Sequence, residues 1–341
     1  MKKTKINFLL VCFFVSFLNN HAFSSKVTNK QILNLSDTQV SIFLNELRGV
    51  CKSSTFYKNL NRKFDNKFGD ANEWKRKCLT LNKKISAKEI KKYLIQNFKF
   101  KKIENTSGLL TGYYEPVIRV SRKRNDVYKF PILSKNKNYI NKPRMFIEKN
   151  FKRKDVILWT DDEVNLFFLH IQGSGIGEFE NSEKVKLVYG GNNEMSYTSI
   201  GKLLIKKKYI SKDNVNLFTI KNWLRANSDL SAKILNQNKR FIFFKEMSLD
   251  KGEQPVGAFG TPLVPNYSVA VDKDIYPLGL PFFIQMEQDK SIIPVVSLDT
   301  GGAIIGANRA DLFCGRGEVA EKKAGTLKKK IYLHAFIPYS N

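Results

Sequence analysis

Val295-Val296-Ser297-Leu298-Asp299-Thr300-Gly301-Gly302-Ala303-Ile304-Ile305-Gly306-Ala307-Asn308-Arg309-Ala310-Asp311-Leu312-Phe313 is the stretch on which the reading of this chain turns. An apolar run delivers one carboxylate, Asp299, into a glycine pair. A second apolar run and a turn follow, and a second carboxylate, Asp311, stands between Arg309 and Leu312-Phe313. Glycine belongs where backbone must bend or let another group come close. Two acids displayed from one strand–turn–strand unit suit acid/base chemistry. Alone, an Asp-Thr-Gly is more often an acid capping a turn, and an Asp near an Arg more often a simple pair. The surrounding chain decides between these readings.

On both sides of this stretch the pattern is one of short strands between Gly/Pro turns: Phe241 to Phe244, Ser268 to Val271, Pro281 to Gln285, Pro294 to Leu298 and Ile331 to Phe336. That spacing argues for a β-barrel or sandwich rather than alternating βαβ units. Further upstream, a strand from about Leu109 ends at Gly112-Tyr113-Tyr114-Glu115-Pro116, and residues 119–154 read as short strands or loops broken by prolines. Val164 to Gln172 reads as a continuous apolar strand ending at Gly173-Ser174-Gly175, and Lys184 to Tyr189 as a strand followed by a Gly190-Gly191-Asn192 turn. Helices are expected over 36–51, capped by Ser36 or Asp37, and over 86–98, with a Ser86/Glu89 capping box. Others are expected near Thr198, with Ile200, Leu203 and Leu204 inward, and after a Thr219 cap, burying Ile220, Trp223 and Leu224.

With 341 residues the chain holds one large or two ordinary domains. Lys and Arg number 58 against 31 acids, a formal charge of +27. Such a charge invites a polyanionic partner. The basic residues are mostly Lys, however, spread along the whole length without a binding stripe, so nucleic acid is not the expected partner. Residues 1–24 read as an export signal: Lys2, Lys3 and Lys5 precede an apolar core from Phe8 to Leu18, and Ala22-Phe23-Ser24 supplies small residues before a cleavage point after Ser24. Cys12 raises a lipoprotein alternative, disfavoured because it lies within the apolar core and follows Val11. In an oxidising compartment Cys51 and Cys78 could bridge, leaving Cys314 free. Beyond the signal only His170 and His334 remain. A histidine-rich metal site and a Ser-His-Asp triad are therefore not expected.

Thr111-Gly112-Tyr113-Tyr114-Glu115-Pro116 places two adjacent aromatics near glycine, suited to stacking on sugar rings. Gln172-Gly173-Ser174-Gly175 puts an amide and a hydroxyl beside an apolar run. It lacks the Gly-Lys-[Ser/Thr] ending of a phosphate loop. Asp299-Thr300-Gly301 followed by Ile304-Ile305-Gly306-Ala307-Asn308 invites an aspartic-protease reading. That chemistry needs two such loops, and the chain has one.

Taken together, these motifs resemble the membrane-bound lytic murein transglycosylase A family, from about Leu109 to Tyr339. The matching segments are Thr111–Pro116, Phe167–Gly175, Tyr197–Leu204, Pro265–Asp272 with Pro277-Leu278-Gly279, and the opening stretch with Gly315-Arg316-Gly317. Residues 27–100 match only weakly. The resemblance implies a mainly β fold with a few helices. A double-psi β-barrel is formed by residues 25–115 plus 236–341, with a smaller β-rich domain, 116–235, inserted to make the other wall of a glycan groove.

It also implies the reaction: cleavage of the β-1,4 bond between N-acetylmuramic acid and N-acetylglucosamine without water, leaving a 1,6-anhydro end. Because the sugar's own C6 hydroxyl attacks, one carboxyl suffices where ordinary glycosidases need two. Position in the motif assigns that role to Asp311, with Asp299 as helper, its charge raising the pKa of Asp311. Thr111, Gly112, Tyr113, Gln172, Gly173, Ser174, Gly301 and Gly302 are the expected substrate contacts, and Asp272 and Arg309 the supporting residues. No metal or other cofactor is implied. The expected partner is the peptidoglycan glycan strand, met by a monomer in the periplasm with peripheral or lipid-anchored outer-membrane association. A cationic, non-catalytic wall-binding protein is the alternative. Two departures stand out: Cys314 replaces a Trp common in the family, and a clean lipoprotein signal is missing.

Overall fold

Apolar alternation in the second half of the chain resolves, in the computed structural model, into two sheets; residues 26–249 and 254–340 are described. The expected export signal, 1–24, lies outside them. The N-terminal part is helical: α1 (Asn29–Leu33), α2 (Asp37–Cys51), α3 (Ser54–Arg62), α4 (Ala71–Leu81) and α5 (Ala87–Asn97). Ser36 caps α2 in a capping box with Gln39, and Ser86 caps α5 with Glu89, each satisfying backbone donors that the first turn leaves free. Val40, Phe43, Leu44 and Leu47 form the buried face of α2. The helix expected to reach residue 98 stops at Asn97, because Phe98 begins β1 (Phe98–Lys102). There Phe98 pairs with Pro338, and its ring lies 5.3 Å from Trp74 and 5.8 Å from Phe336.

The insert begins after β2 (Gly108–Glu115) and contains β3 (Val117–Ser121), β4 (Phe130–Leu133), α6 (Arg144–Asn150), β5 (Val156–Thr160), α7 (Glu163–Gln172), β6 (Gly175–Glu178), β7 (Lys184–Asn192), α8 (Ile200–Lys206), α9 (Leu217–Ala226), α10 (Ser228–Leu235) and β8 (Ile242–Ser248). The chain returns through β9 (Ser268–Ala270), β10 (Pro281–Met286), β11 (Ile292–Asp299), β12 (Arg309–Arg316), α11 (Gly317–Thr326) and β13 (Lys328–Pro338). One sheet runs β1-β13-β10-β11-β9-β12-β2, and β13 also pairs with β2. The six strands from β13 round to β2 thus close on themselves as the expected barrel, with β1 added outside and no free edge on the ring. The other sheet runs β4-β5-β3-β6-β7-β8. Barrel and N-terminal helices share one hydrophobic core, and the insert has its own. Because β8 pairs with β7 along its length, the second sheet passes the expected boundary at 235 and runs to Ser248. We propose 116–249 as the inserted unit.

The strand expected at Val164–Gln172 is α7. A continuous apolar run does not separate strand from buried helix, and here the ends decide. Asp162 accepts the Asn165 N–H at 2.9 Å, and Gly173 adopts the left-handed conformation (φ 83°) that terminates a helix. The Gly190-Gly191-Asn192 turn is instead the bulged end of β7, where Gly191 opposes Phe243. Asn216, not Thr219, caps α9, and Thr219 completes its capping box. On that helix Leu224 is buried, while Ile220 and Trp223 are half-buried.

Cys51 and Cys78 are bridged, tying α2 to α4 across a sequence separation of 27. Closing a loop of that length is worth about 3 to 4 kcal/mol in the chain-entropy description. Replacing both cysteines by alanine is expected to cost about that much, read as a lower urea midpoint with a somewhat larger m-value as the denatured chain expands. A second expectation concerns Glu46 on α2, whose carboxyl burial pushes up to about 7 against the opposing hydrogen bond from Ser268 at 3.2 Å. Since the folded state holds this proton more tightly, the Glu46 contribution to stability is fully present below about pH 4.5 and is lost as pH rises through about 7. Glu46→Gln is expected to remove that slope and to stabilise the protein at pH 8 by about 1 kcal/mol, the side chain being partly solvated. Melting curves across this pH range check it, and an unchanged slope in the variant would refute it.

Candidate active site

Two strand pairings assemble the acids. In the parallel pair β12/β2, Asp311 lies opposite Thr111 and Phe313 opposite Tyr113. On the other side Asp311 pairs with Ala270 of β9, and Ala270 pairs in turn with Asp299 of β11. Asp299 and Asp311 therefore stand on the two strands flanking Ala270, about 10 Å apart at the backbone by ordinary strand spacing. Thr111 and Tyr113, two residues apart on β2, share a face and serve one acid each. The Thr111 hydroxyl donates to Asp311 Oδ1, and the Tyr113 hydroxyl donates to Asp299 Oδ2 at 2.9 Å.

Arg309 orders the first of these contacts. Its Nη2 donates to Thr111 Oγ1 at 2.7 Å, so the threonine proton is left to point at Asp311. Asp299 Oδ1 accepts the N–H groups of Thr300 (2.9 Å) and Ala258 (3.0 Å). Asp272 accepts from the N–H of Asp274 (3.0 Å) and of Gly306 (2.8 Å), clamping the loop between β11 and β12. Gly306 has φ 110°, a conformation that favours glycine.

Burial governs the protonation of both carboxyls. It pushes Asp311 above the usual carboxylate range; the Arg309 charge and the Thr111 hydroxyl oppose it, and Asp299 adds the smallest push. The expected tuning of Asp311 by Asp299 is thus a minor contribution beside desolvation. Burial also raises Asp299, against its three hydrogen-bond donors. Tyr113 is held well above its ordinary value by burial and by the neighbouring carboxylates, so it remains a donor.

A cavity of about 780 Å³ opens between barrel and insert. Asp299, Gly301 and Gly302 line it from the barrel, and Gln172, Gly173 and Ser174 from the C-terminal end of α7. Gln172 is fixed by accepting the Tyr114 N–H at 3.0 Å. Thr111, Gly112, Tyr113 and Asp311 are not among its lining residues. The expected aromatic platform is placed differently: Tyr114 is buried beside Cys314, Ala320 and Ala324, and Tyr113 serves Asp299. The exposed ring in the cavity is Tyr189, whose hydroxyl accepts from Asn192 at 2.5 Å. Sequence reading missed it, because a tyrosine at the end of one strand among many carries no distinguishing neighbour. Tyr197, within a quoted motif but without an assigned role, also lines the cavity, and its hydroxyl feels the charge of Asp311.

A closed barrel that sets Asp299 on the wall of an interdomain groove, with the second burial-raised carboxyl on the strand two away, points to an acid/base enzyme of extended substrates. Comparison with known proteins makes the class specific. Residues 135–245 match the MltA specific insert domain, and residues 267–336 match the 3D domain. A Buchnera aphidicola protein named membrane-bound lytic murein transglycosylase A homolog is 31% identical over 262 residues, which are 72% of this chain and 70% of that protein. The Vibrio cholerae membrane-bound lytic murein transglycosylase A is 31% identical over 235 residues, 64% of this chain and 62% of its own length. The fold is shared with a membrane-bound lytic murein transglycosylase from Agrobacterium tumefaciens (TM-score 0.75, 24% identity, 87% of this chain and 92% of the other). It is shared too with Escherichia coli MltA with bound chitohexaose (TM-score 0.71, 23% identity, 89% and 90%). The chain belongs to the membrane-bound lytic murein transglycosylase A family.

Thr111→Val removes the link between Arg309 and Asp311 while keeping the side chain's shape. Catalytic rate is expected to fall about ten- to a hundredfold. Because the lost hydroxyl favoured the carboxylate, the limb in which activity falls with rising pH should move to higher pH. A pH–rate profile checks both, and a limb that stays in place would refute the role given to Thr111.

Proposed function

We propose that this chain is a lytic transglycosylase of peptidoglycan in which Asp311 serves as acid and then as base. In the first step the protonated Asp311 carboxyl gives its proton to the glycosidic oxygen, which leaves as the 4-hydroxyl of N-acetylglucosamine. Positive charge develops at C1 of N-acetylmuramic acid, and the C6 hydroxyl of that sugar closes on C1. Asp311, now a carboxylate, takes the C6 proton and is restored. The C1–O4 bond breaks and a C1–O6 bond forms; the proton Asp311 gives stays on the 4-hydroxyl and the C6 hydroxyl's proton replaces it, so water is not consumed.

The observation that carries this reading is the surroundings of Asp311. Burial keeps the carboxyl protonated above the usual range, and Thr111 holds one oxygen, leaving the other for the substrate. Asp299, oriented by Tyr113, Thr300 and Ala258, supplies an oriented carboxyl at the cavity wall for the oxocarbenium-like transition state. The Escherichia coli protein of this fold binds chitohexaose, a β-1,4 sugar hexamer, which fits a groove built for a glycan strand.

The site would act outside the cytoplasm, in the periplasm and in association with the membrane. Support comes from the N-terminal signal pattern, from the Cys51–Cys78 bridge, suited to an oxidising compartment, and from the membrane-bound names of the relatives. Among the described residues no helix is long and apolar enough to cross a membrane.

Asp311→Asn is expected to abolish release of 1,6-anhydro-muropeptides from sacculi, by at least about a thousandfold, with sacculus binding and the melting transition retained. Mass spectrometry of the digests reads the outcome. Residual activity of more than a few per cent would remove Asp311 from the acid's role. Binding by the wild-type chain with no anhydro ends would leave a non-catalytic wall-binding protein.

A further inference from the structure

Arg240 enters β8 at the insert's side of the groove and is half-buried. Four other arginines of the insert are ion-paired, Arg119 with Asp161, Arg122 with Glu246, Arg144 with Glu148 and Arg225 with Asp162, and Arg124 and Arg153 lie over the Trp159 ring. Among the described residues Arg240 has no carboxylate partner; its guanidinium donates to one protein acceptor, the Met195 carbonyl, at 3.3 Å. Its backbone, by contrast, is held firmly. Buried Arg144 donates to the carbonyls of Asn238 (3.2 Å) and Arg240 (2.8 Å). Buried Asn193 accepts the Phe241 N–H (2.8 Å) and donates to the Lys239 carbonyl (2.8 Å). A guanidinium with unspent donors on a pre-organised mount is the arrangement for recognising an anion from outside the chain.

The location says which anion. The Arg240 guanidinium lies over Gly302, 3.7 Å from where a Cβ would stand, and Gly302 is three residues beyond Asp299 on the opposite wall. Lys273 lines the same cavity, so with Arg240 positive charge outnumbers the carboxylate of Asp299 there. In a peptidoglycan substrate, N-acetylmuramic acid carries a lactyl ether that ends in a carboxyl. In peptide-free strands that group is a free carboxylate; in peptide-bearing strands it is an amide, and the stem peptide supplies the carboxylates. We propose that Arg240 binds a carboxylate borne by this substituent and so sets which sugar sits against Asp299 and Asp311. The alternating sugars differ in that substituent, so a cation on the far wall distinguishes them where the sugar-facing contacts cannot. The inference rests on the glycan-cleaving reading.

The test measures binding to the Asp311→Asn chain, which prevents turnover, by calorimetry at low and moderate salt. The ligands are chitohexaose, peptide-free glycan strands, the same strands with lactyl carboxyls converted to methylamides, and peptide-bearing strands. Each affinity is taken relative to that for chitohexaose in the same variant, which removes general effects on the fold. With Arg240 present, the carboxylate strand is expected to bind about tenfold more tightly than its methylamide. In Arg240→Gln the ratio should fall to within about twofold, and Arg240→Lys should restore part of it. If preference appears only with peptide-bearing strands, the stem-peptide carboxylate is the group bound. Equal ratios with Arg240 intact and in Arg240→Gln, or no preference in either, would overturn the proposal. Loss of anhydro products from the wild-type chain would instead overturn the catalytic reading and leave these ratios standing.

Discussion

The parallel pairing of β12 with β2 puts Thr111 beside Asp311, and the same β2 closes the barrel by pairing with β13. Catalytic geometry and barrel closure therefore share one strand. How tightly that strand is held is visible at its two glycines. A Cβ on Gly108 would meet the Asn308 carbonyl oxygen at 1.8 Å, and one on Gly112 would meet Ala324 Cα at 2.8 Å. Neither contact can be relieved by turning a flexible side chain, so the seam tolerates only glycine there. Closure also removes water from the carboxyls at its end, and it is that desolvation, more than any neighbouring charge, that raises Asp299 and Asp311. One packing constraint thus yields position and protonation together.

Burial raises both acids, but they differ in what holds them. Asp299 takes hydrogen bonds on both oxygens from two backbone amides and a phenol, all of which favour the anion. Asp311 takes one hydroxyl on one oxygen and feels the Arg309 charge, but Arg309 makes its hydrogen bond to Thr111 rather than to the acid. An acid with one oxygen left unclaimed can exchange a proton with a substrate; an acid saturated with donors is better suited to holding charge. The division of labour follows from donor count rather than from the charge of one acid acting on the other.

Strand spacing narrowed the second half to a barrel or sandwich and the family resemblance chose the barrel, while the Ser86 capping box and a cap at Ser36 or Asp37 fixed two helices to within a residue. The acids and their loop glycines were legible because they fall in one short stretch. What failed did so for local reasons. Val164–Gln172 is buried along most of its length, so no polar periodicity marks it as a helix, and the deciding signals, Asp162 and Gly173, lie at its ends. Gly190-Gly191 looks like a turn because glycine pairs usually are, yet the second sheet runs through it as a bulge against Phe243. The groove itself was not legible: Arg240 and Tyr189 come from segments without motifs and acquire meaning only where the insert faces the barrel. Nor was the weight of desolvation against charge, which depends on closure in three dimensions.

Cys314 shows how such a departure from the family pattern is absorbed. A tryptophan at this place would offer a large aromatic surface beside the acid, but Cys314 is buried with Tyr114 and two alanines of α11, its thiol directed at the Leu312 carbonyl at 3.4 Å. Burial pushes that thiol up to about 11, which leaves it protonated and unreactive at neutral pH. The space beside Gly112 is filled by Ala324 of α11 and by the Cys314 sulfur rather than by a ring. The apolar surface that a sugar needs is found instead on the insert side, where Tyr189 and Met247 are exposed at the cavity. In this chain the wall that carries the acids is compact and polar, and the opposite wall carries the ring and the unpaired guanidinium. On the proposed mechanism, grip on the glycan is shared by the two walls, while the proton-carrying carboxyl belongs to the barrel.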